Sequence, residues 1–498
     1  MPPLTNTRGS RTSGFPLKPA AVVGVSADVI KLQLAPRNFW SHAKDQEVVI
    51  IICNFVTGPY NCAAAVKKTS CHVQDGTADC SHLSLSEVPQ NLPRNLTSLD
   101  MSHNRLKGVP PPSLTPYPGL LHLDVSYNSI TKTLNIEHNE VFVLKKEDVS
   151  HCTELTRLIM ASNRLKLQGE PFSALQLEPG CFKPISGLHT LIMDKSNMGT
   201  QIITKLCKEL SGTAIDALSL RKMKLVTLTN TTFAGLQKTS LTFLDLSHNG
   251  MGTAITHINP GAFSVFRNLT TLLLDHNFIS QILTGKEFEG LDQVQELHMA
   301  NNYRKVNLSS TSFANVPNLR VLTLGKSLTV KALDLHPSPF KPLPNLTILD
   351  LSNNNIANIR KDLLEGLVNL RVLKLQHNNL ARLWKNANLG GPVLFLKGAP
   401  NLRTLLMDSN GLDEIPAGGL SGLHDLRELS LGYNLLNNLK DSVFDDLNSL
   451  QALFLEKNMI TTVRPEVFKT PMSNLSLLIM GKNPFDCTCE SILWFATW

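Results

Sequence analysis

Aromatic side chains make up only 6% of this 498-residue chain and charged ones only 17%. No apolar run approaches the roughly 20 residues that a membrane-crossing helix needs, so the chain by itself is expected to carry no membrane anchor. Cysteine is absent from most of the length. Four lie at 53, 62, 71 and 80, three at 152, 181 and 207, and none follows until 487 and 489. Whatever orders the middle of the chain does so without disulfides. Neither sign of charge dominates: Lys+Arg 47 against Asp+Glu 40 leaves a formal +7, with 15 His outside the sum, too dilute to mark a nucleic-acid binder by itself. There is no H-E-x-x-H, G-x-S-x-G or G-x-G-x-x-G. Gly325-Lys326-Ser327 ends like a phosphate-binding loop, but Arg320 stands where that motif needs glycine. His138-Asn139-Glu140 has no evident nucleophile beside it. The expectation is a non-enzyme with no metal and no cofactor. The 42% hydrophobic content excludes a disordered chain.

Residues 1–46 are rich in Pro, Ser and Arg without apolar periodicity, which reads as a disordered extension or a product of the gene model. Residues 48–56 are apolar apart from Asn54, and Ala63-Ala64-Ala65 follow. Two readings stand, a displaced signal-peptide core or a buried strand. Four segments result: a disordered extension with a possible displaced signal sequence at 1–70, an N-terminal cysteine cap at 71–94, a repeat solenoid at 95–483 and the start of a C-terminal cysteine cap at 484–498.

The repeat decides the fold. Residues 96–106 fit L-x-x-L-x-L-x-x-N-x-L, as do 120–130, 155–165, 241–251, 269–279, 346–356, 370–380, 402–412, 426–436 and 450–460. The asparagines at 104 and 128, 354 and 378, and 410, 434 and 458 recur with a period of 24. Degenerate copies lie near 188–198, 215–225, 294–302 and 319–328, and with others too degenerate to place the count is about sixteen. Each L-x-L is a short strand whose alternate leucines point into a shared core. The asparagine turns inward to pair backbone groups of neighbouring turns. Segments such as Phe288-Glu289-Gly290-Leu291 and Phe444-Asp445-Asp446-Leu447 form the outer wall. The fold class is α/β: a leucine-rich repeat solenoid, a curved horseshoe with a parallel β-sheet on its concave face and cysteine-containing caps. Length alone would have suggested about three domains; the repeat makes one.

Open solenoid ends need caps. Cys71 and Cys80 suit a disulfide-closed hairpin before the first repeat, and Cys487 and Cys489 suit the C-terminal cap, inside which the chain looks cut. Such caps imply an oxidising compartment. Sequons at Asn95, Asn230, Asn268, Asn307, Asn345 and Asn474 agree with a secretory-pathway glycoprotein. Cys152, Cys181 and Cys207 read as buried small hydrophobes.

Five histidines, His103, His138, His248, His276 and His377, immediately precede the repeat asparagine. That register places them on one lateral edge. Histidine gains charge below about pH 6.5, so a row facing phosphates would bind more tightly in acid. The plain alternative is an exposed position that tolerates His among Ser, Asn, Tyr and Lys. Lys107, Arg382 and Lys385 nearby add weight to anion binding.

The stretches 345–359, 375–385 with the insertion Gly390-Gly391-Pro392, 483–492 and 78–83 closely resemble the Toll-like receptor family, and the likeness covers roughly 71–498. The resemblance implies a receptor ectodomain of the endosome lumen or cell surface that binds double-stranded RNA through its sugar–phosphate backbone and dimerises on it. It implies a full-length protein that spans the endosomal membrane once and recruits a cytoplasmic adaptor for innate immune signalling. Carried over by motif, an N-terminal RNA patch would use His82, His103, Lys107, Tyr127, Ser129, His138 and Glu140. A C-terminal patch would use Asn353, Asn355, His377, Asn379, Arg382 and Ser409. His248 and His276 match no such contact and stay with the plain alternative. Lys107 stands where the family commonly has Arg, which loses a bidentate fork. The asparagines at 128 and 139 are only 11 residues apart, so half a repeat is missing there, and Cys152 lacks the family's partner. Whole central repeats also look absent, which would shift the two patches relative to each other. Without a membrane span or signalling domain the chain would bind, or compete as a decoy, without signalling. The competing expectations are an extracellular leucine-rich repeat scaffold for a protein ligand and the product of a defective gene model.

Overall fold

The computed structural model describes residues 70–106, 153–162, 176–250, 255–303, 305–329, 333–381, 392–416 and 418–486, with short pieces at 30–31, 116–117, 122–124, 132–135, 143–144 and 146. The apolar run at 48–56 and its two readings, Cys152, Cys487 and Cys489 lie outside them.

Among the described residues, thirteen strands from Leu155–Ile159 to Leu477–Ile479 pair in chain order as one parallel sheet. The second leucine of each repeat sets the register. Leu191 faces Leu158 and Leu218, and the series continues through Leu244, Leu272, Leu297, Leu322, Leu349, Leu373, Leu405, Leu429, Leu453 and Leu478. In a strand such as Thr271–Leu273 or Ile348–Asp350 the middle leucine is buried between two half-buried neighbours. Each buried leucine contributes about 1.5–3 kcal/mol of hydrophobic stabilisation. A second sheet lies at the N-terminal end. His72–Gln74 runs antiparallel to Thr77–Asp79 inside a hairpin closed by Cys71–Cys80, as the spacing predicts, and Ser98–Asp100 and His122–Asp124 then add in parallel. The two sheets are separate. Lys132–Asn135 pairs with Leu155–Ile159, with a register shift between Lys132 and Thr133, and with Ile30–Lys31. The break falls where the asparagine spacing contracts.

The repeat asparagines do what their position predicts. Asn354 donates from Nδ2 to the carbonyls of Leu324, one repeat back, at 3.0 Å and of its own Leu351 at 2.9 Å. Its Oδ1 accepts the N–H groups of Ser327 and Leu328, both at 2.8 Å. Asn378 and Asn434 repeat the pattern. In the degenerate copies Ser327 takes the role, donating its hydroxyl to the Met299 carbonyl and accepting the Asn302 N–H at 3.0 Å. Met223 fills the same place with no polar side chain at all.

On the opposite wall the phenylalanines of the outer segments form a buried spine. Phe288, Phe313 and Phe340 stack at 6.4 and 5.9 Å, and Phe444 meets Phe468 at 5.9 Å. The outer segments are 3-10 helices or simple turns, and Thr200–Glu209 is the one α-helix among the described residues. Those ten residues hold no Pro or Gly, and Ile203, Leu206 and Cys207 form its buried stripe. A Cβ at Gly235 would lie 2.4 Å from the Cys207 carbonyl, so glycine there lets the next outer turn pack onto the helix backbone. The Cys181 and Cys207 thiols are free and buried, and burial pushes Cys181 up to about 12 and raises Cys207 as well. They are inert packing groups, as the sequence suggests.

Asn354→Ala strips partners from four buried backbone groups, so it should lower the unfolding free energy by roughly 2–4 kcal/mol in a urea melt followed by circular dichroism. A wild-type midpoint would show that the amide ladder does not hold the repeats together.

Candidate nucleic-acid interface

The site grows from the turn that follows each strand. To aim its side-chain amide inward, the chain places the residue before the asparagine in a left-handed backbone, with φ of +54° at His103, +60° at His248, +55° at His276, +61° at Asn353, and +55° at both His377 and Ser409. Asparagine and histidine are among the few non-glycine types enriched in that region. The backbone N–H there donates to the next repeat: His248 to the Asp275 carbonyl at 2.8 Å, His276 to Ala300 at 2.9 Å and His377 to Asp408 at 2.9 Å. One side chain per strand is therefore thrown outward along a single edge, forming a ridge. The histidine register has a backbone cause.

Adjacent strands lie about 4.8 Å apart, so neighbours on the ridge touch. His82, at the corresponding turn of the cap (φ +59°), stacks on His103 with ring centroids 4.0 Å apart and planes at 13°. His248 stacks on His276 at 4.2 Å and 8°. Lys457 Nζ sits 4.3 Å over the Tyr433 ring.

The residues expected from the sequence fall as follows. His82 and His103 are together on the N-terminal sheet, both exposed. Asn353, His377 and Ser409 are consecutive ridge positions above Ile348–Asp350, Val372–Lys374 and Thr404–Leu406, which pair in that order. Asn355 and Asn379 lie two residues further along, exposed, in the adjoining column, where the Asn379 N–H donates to the Ile356 carbonyl at 2.8 Å. Lys107, Tyr127, Ser129, His138, Glu140 and Arg382 lie outside the described residues. The structure thus brings together five residues of one patch and two of the other, on separate sheets.

Sequons occupy other places. Asn95, Asn268, Asn345 and Asn474 are exposed and immediately precede the first leucine of a repeat, at the end of the strand opposite the ridge. Asn230 and Asn307 lie in the outer segments, where Asn307 is half-buried with its amide oxygen engaged by the Leu308 N–H and by Thr329 Oγ1. The ridge edge carries no sequon.

Beneath the central ridge lie carboxylates. Burial raises Asp194 and Asp275 above the usual carboxylate range, although Asp194 accepts Ser219 Oγ at 2.7 Å and Asp275 accepts the Ala300 N–H at 2.6 Å. Burial also holds His248 below the usual histidine value, helped by His276, Arg221 and Lys222, while Asp245 pulls the other way.

Sequence reasoning missed the ridge positions Lys195, Lys222, Asn301, Lys326, Tyr433, Lys457 and Lys482, all left-handed in the structure. At three of them the following asparagine is replaced by Ser196, Met223 or Ser327, so a search for the residue before Asn passes over them. Counting two places past the strand's last core residue would have found them.

The chain matches the leucine rich repeat family over residues 251–304, 330–380 and 400–460, and again over 95–116. It is 33% identical to Toll-like receptor 3 of Mus musculus over 645 aligned positions, covering 86% of this chain and 70% of that protein. It is likewise 33% identical to Toll-like receptor 3 of Homo sapiens over 525 positions, covering 62% of this chain but only 57% of that protein. The first alignment is longer than the 498 residues present, so it contains gaps opposite residues that this chain lacks. Among solved structures, a leucine-rich repeat protein of Leptospira interrogans matches with a TM-score of 0.54 at 24% identity, covering 84% of this chain and 92% of that one, which is a likeness of fold.

The lowered His248 value has a thermodynamic consequence. Below the ordinary value of about 6.5 the unfolded chain takes up this proton first, so the native state loses stability as pH falls through that window. His248→Asn, a type suited to left-handed φ, should shrink the drop in Tm between about pH 7 and about pH 5. Superimposable pH profiles for variant and wild type would refute the assignment.

Proposed function

Since the chain belongs to the Toll-like receptor 3 family, we propose that it is a pattern-recognition receptor ectodomain that binds double-stranded RNA along the ridge edge, more tightly in acid. The observation that carries this reading is the placement of Asn353, Asn355, His377, Asn379 and Ser409 on three consecutive strands, facing outward on an edge without sequons. A row of short polar side chains at about 4.8 Å intervals suits repeated phosphate and 2′-hydroxyl groups. Base edges in the deep, narrow major groove of A-form RNA are out of reach, and duplex RNA is read mainly through its shape, phosphates and 2′-hydroxyls. Recognition is therefore independent of base sequence. Protonated histidines add positive charge on acidification and bring the salt dependence of phosphate binding.

The stacked His82 and His103 would supply the second patch, with Lys107, Tyr127, Ser129, His138 and Glu140. Two such chains on one duplex would gain avidity provided both patches reach it. The disulfide-closed cap and the six sequons fit an endosomal lumen or the cell exterior. In the longer receptor, dimerisation on RNA would drive signalling through a membrane span and an adaptor.

One feature favours the alternative of a scaffold for a protein ligand. Tyr433, Leu435 and Met459, in neighbouring register positions near the C-terminal end, are each about half exposed (50%, 53% and 52%).

The test is affinity for a synthetic RNA duplex at about pH 5.5 and about pH 7.5 across a salt series. Binding should strengthen in acid, weaken with salt and ignore base sequence. His377→Ala and Asn379→Ala should each weaken it by roughly ten-fold or more, the scale of a hydrogen bond to a charged group. Equal, salt-insensitive affinity at both pH values would sink the proposal.

A further inference from the structure

Asn353, His377 and Ser409 of the expected C-terminal patch lie on the ridge of the long sheet, whereas His82 and His103 stand on the separate N-terminal sheet; earlier strands of the long sheet carry ridge charge that neither patch uses. From Thr190–Ile192 to Val321–Thr323 the strands pair without interruption, and the ridge positions above them are Lys195, Lys222, His248, His276, Asn301 and Lys326. At about 4.8 Å per strand the row is roughly 24 Å long. Lys195, Lys222, His276 and Lys326 are exposed, and His248 and Asn301 are half-buried.

At its centre the two imidazoles lie 4.2 Å apart, a distance at which two neutral rings stack and two cationic rings repel. Arg221 and Lys222 add positive charge on one side. The carboxylates next to the stack are Asp245, which acts on His248, and Asp275, which acts on His276, with Asp194 one strand further off beside Arg221; one oxygen of each accepts hydrogen bonds. Asp245 accepts the Ser247 N–H at 2.8 Å and lies 3.6 Å from Arg221 Nε, and Asp194 accepts Ser219 Oγ and, at 3.0 Å, the Arg221 N–H. Asp275 is bound to the Ala300 N–H and also faces His298, which contacts Glu296 at 3.7 Å. Asn301 Nδ2 lies 3.3 Å from His276 Nε2. A neutral ring accepts from that amide, whereas a protonated ring needs the amide reversed or an external acceptor. Asp245 and Asp275 offset part of the charge on the stack from below, and a phosphate on the exposed side would offset the rest while accepting from His276 without reversal of the Asn301 amide.

We propose that this central row binds the phosphate backbone of the same duplex, extending the Asn353–His377–Ser409 track along the same sheet, with the His248–His276 stack as its acid-gated element. The inference rests on the duplex-RNA reading and adds a third contact that the two-patch scheme lacks. A sulfated polysaccharide is the competing polyanion, but a row with one basic or amide group per strand, on the edge that already holds the Asn353–His377–Ser409 series, continues the RNA track.

The experiment compares wild type with His248→Asn/His276→Asn. Asparagine already occupies the same left-handed position at 301 and 353, so the turn is kept, and a melting curve confirms the fold. For a synthetic RNA duplex near pH 7.5, affinity should stay within about two-fold of wild type. Near pH 5.5 it should fall by roughly ten-fold, and the slope of log K against log salt should become shallower by about 2, one for each lost charge. An unchanged acid affinity and slope, with wild type binding normally, would overturn the central contact and leave the two-patch scheme standing. Absence of RNA binding by wild type would overturn both readings. Heparin binding that the double variant abolishes while RNA binding is untouched would give the row to a polysaccharide and reject the proposal.

Discussion

The structure depends on one requirement: the carbonyl and N–H groups at each strand end must stay paired after the chain turns away from the sheet. A buried asparagine amide meets it, with two donors for two carbonyls and one oxygen for the N–H groups of the preceding turn, as at Asn354. Pointing that amide inward forces the residue before it into left-handed φ and outward. The ladder that holds the repeats together and the ridge that meets solvent are two sides of one turn. The ridge is therefore not an independent acquisition of the surface; it comes with the fold, and only its residue types are free to vary.

That coupling explains why the ridge outlasts the ladder. At Ser196, Met223 and Ser327 the amide is gone, yet Lys195, Lys222 and Lys326 keep the left-handed turn, because their N–H groups still donate to the Arg221, Ser247 and Ser352 carbonyls of the next repeat. Lysine stands at all three of these weaker rungs, as it also does before Asn458 and Asn483. The buried Asp245 and the half-buried Asp194 and Asp275 lie below, and stacked imidazoles between, so the central edge combines fixed positive charge with charge that depends on pH.

Much of this is legible in the residues because it follows a period. Leucines at 99, 123, 349 or 373 announce strands, Asn354 and Asn378 announce the ladder, and Phe288 and Phe444 announce the outer spine. The Cys71–Cys80 spacing announces the capped hairpin, and the short interval from Asn128 to Asn139 marks where the sheet breaks. The left-handed turn is hidden, since Ser, Lys and Tyr occupy it along with Asn and His. The stacked His248 and His276 are hidden for another reason: 28 residues separate them, and only the pairing of Phe243–Asp245 with Thr271–Leu273 brings their rings together. The helix at Thr200–Glu209 shows only as a stretch free of Pro and Gly, in an outer wall otherwise built, among the described residues, from 3-10 helices and simple turns.

Residue-by-residue lysine reactivity, measured with and without a synthetic RNA duplex at about pH 5.5, addresses the ridge most directly. Lys195, Lys222 and Lys326 on the ridge should become protected, while Lys238, just before the strand of its repeat, should react as before. Protection of Lys238 with the ridge lysines unchanged would contradict the assignment of this edge to the nucleic acid.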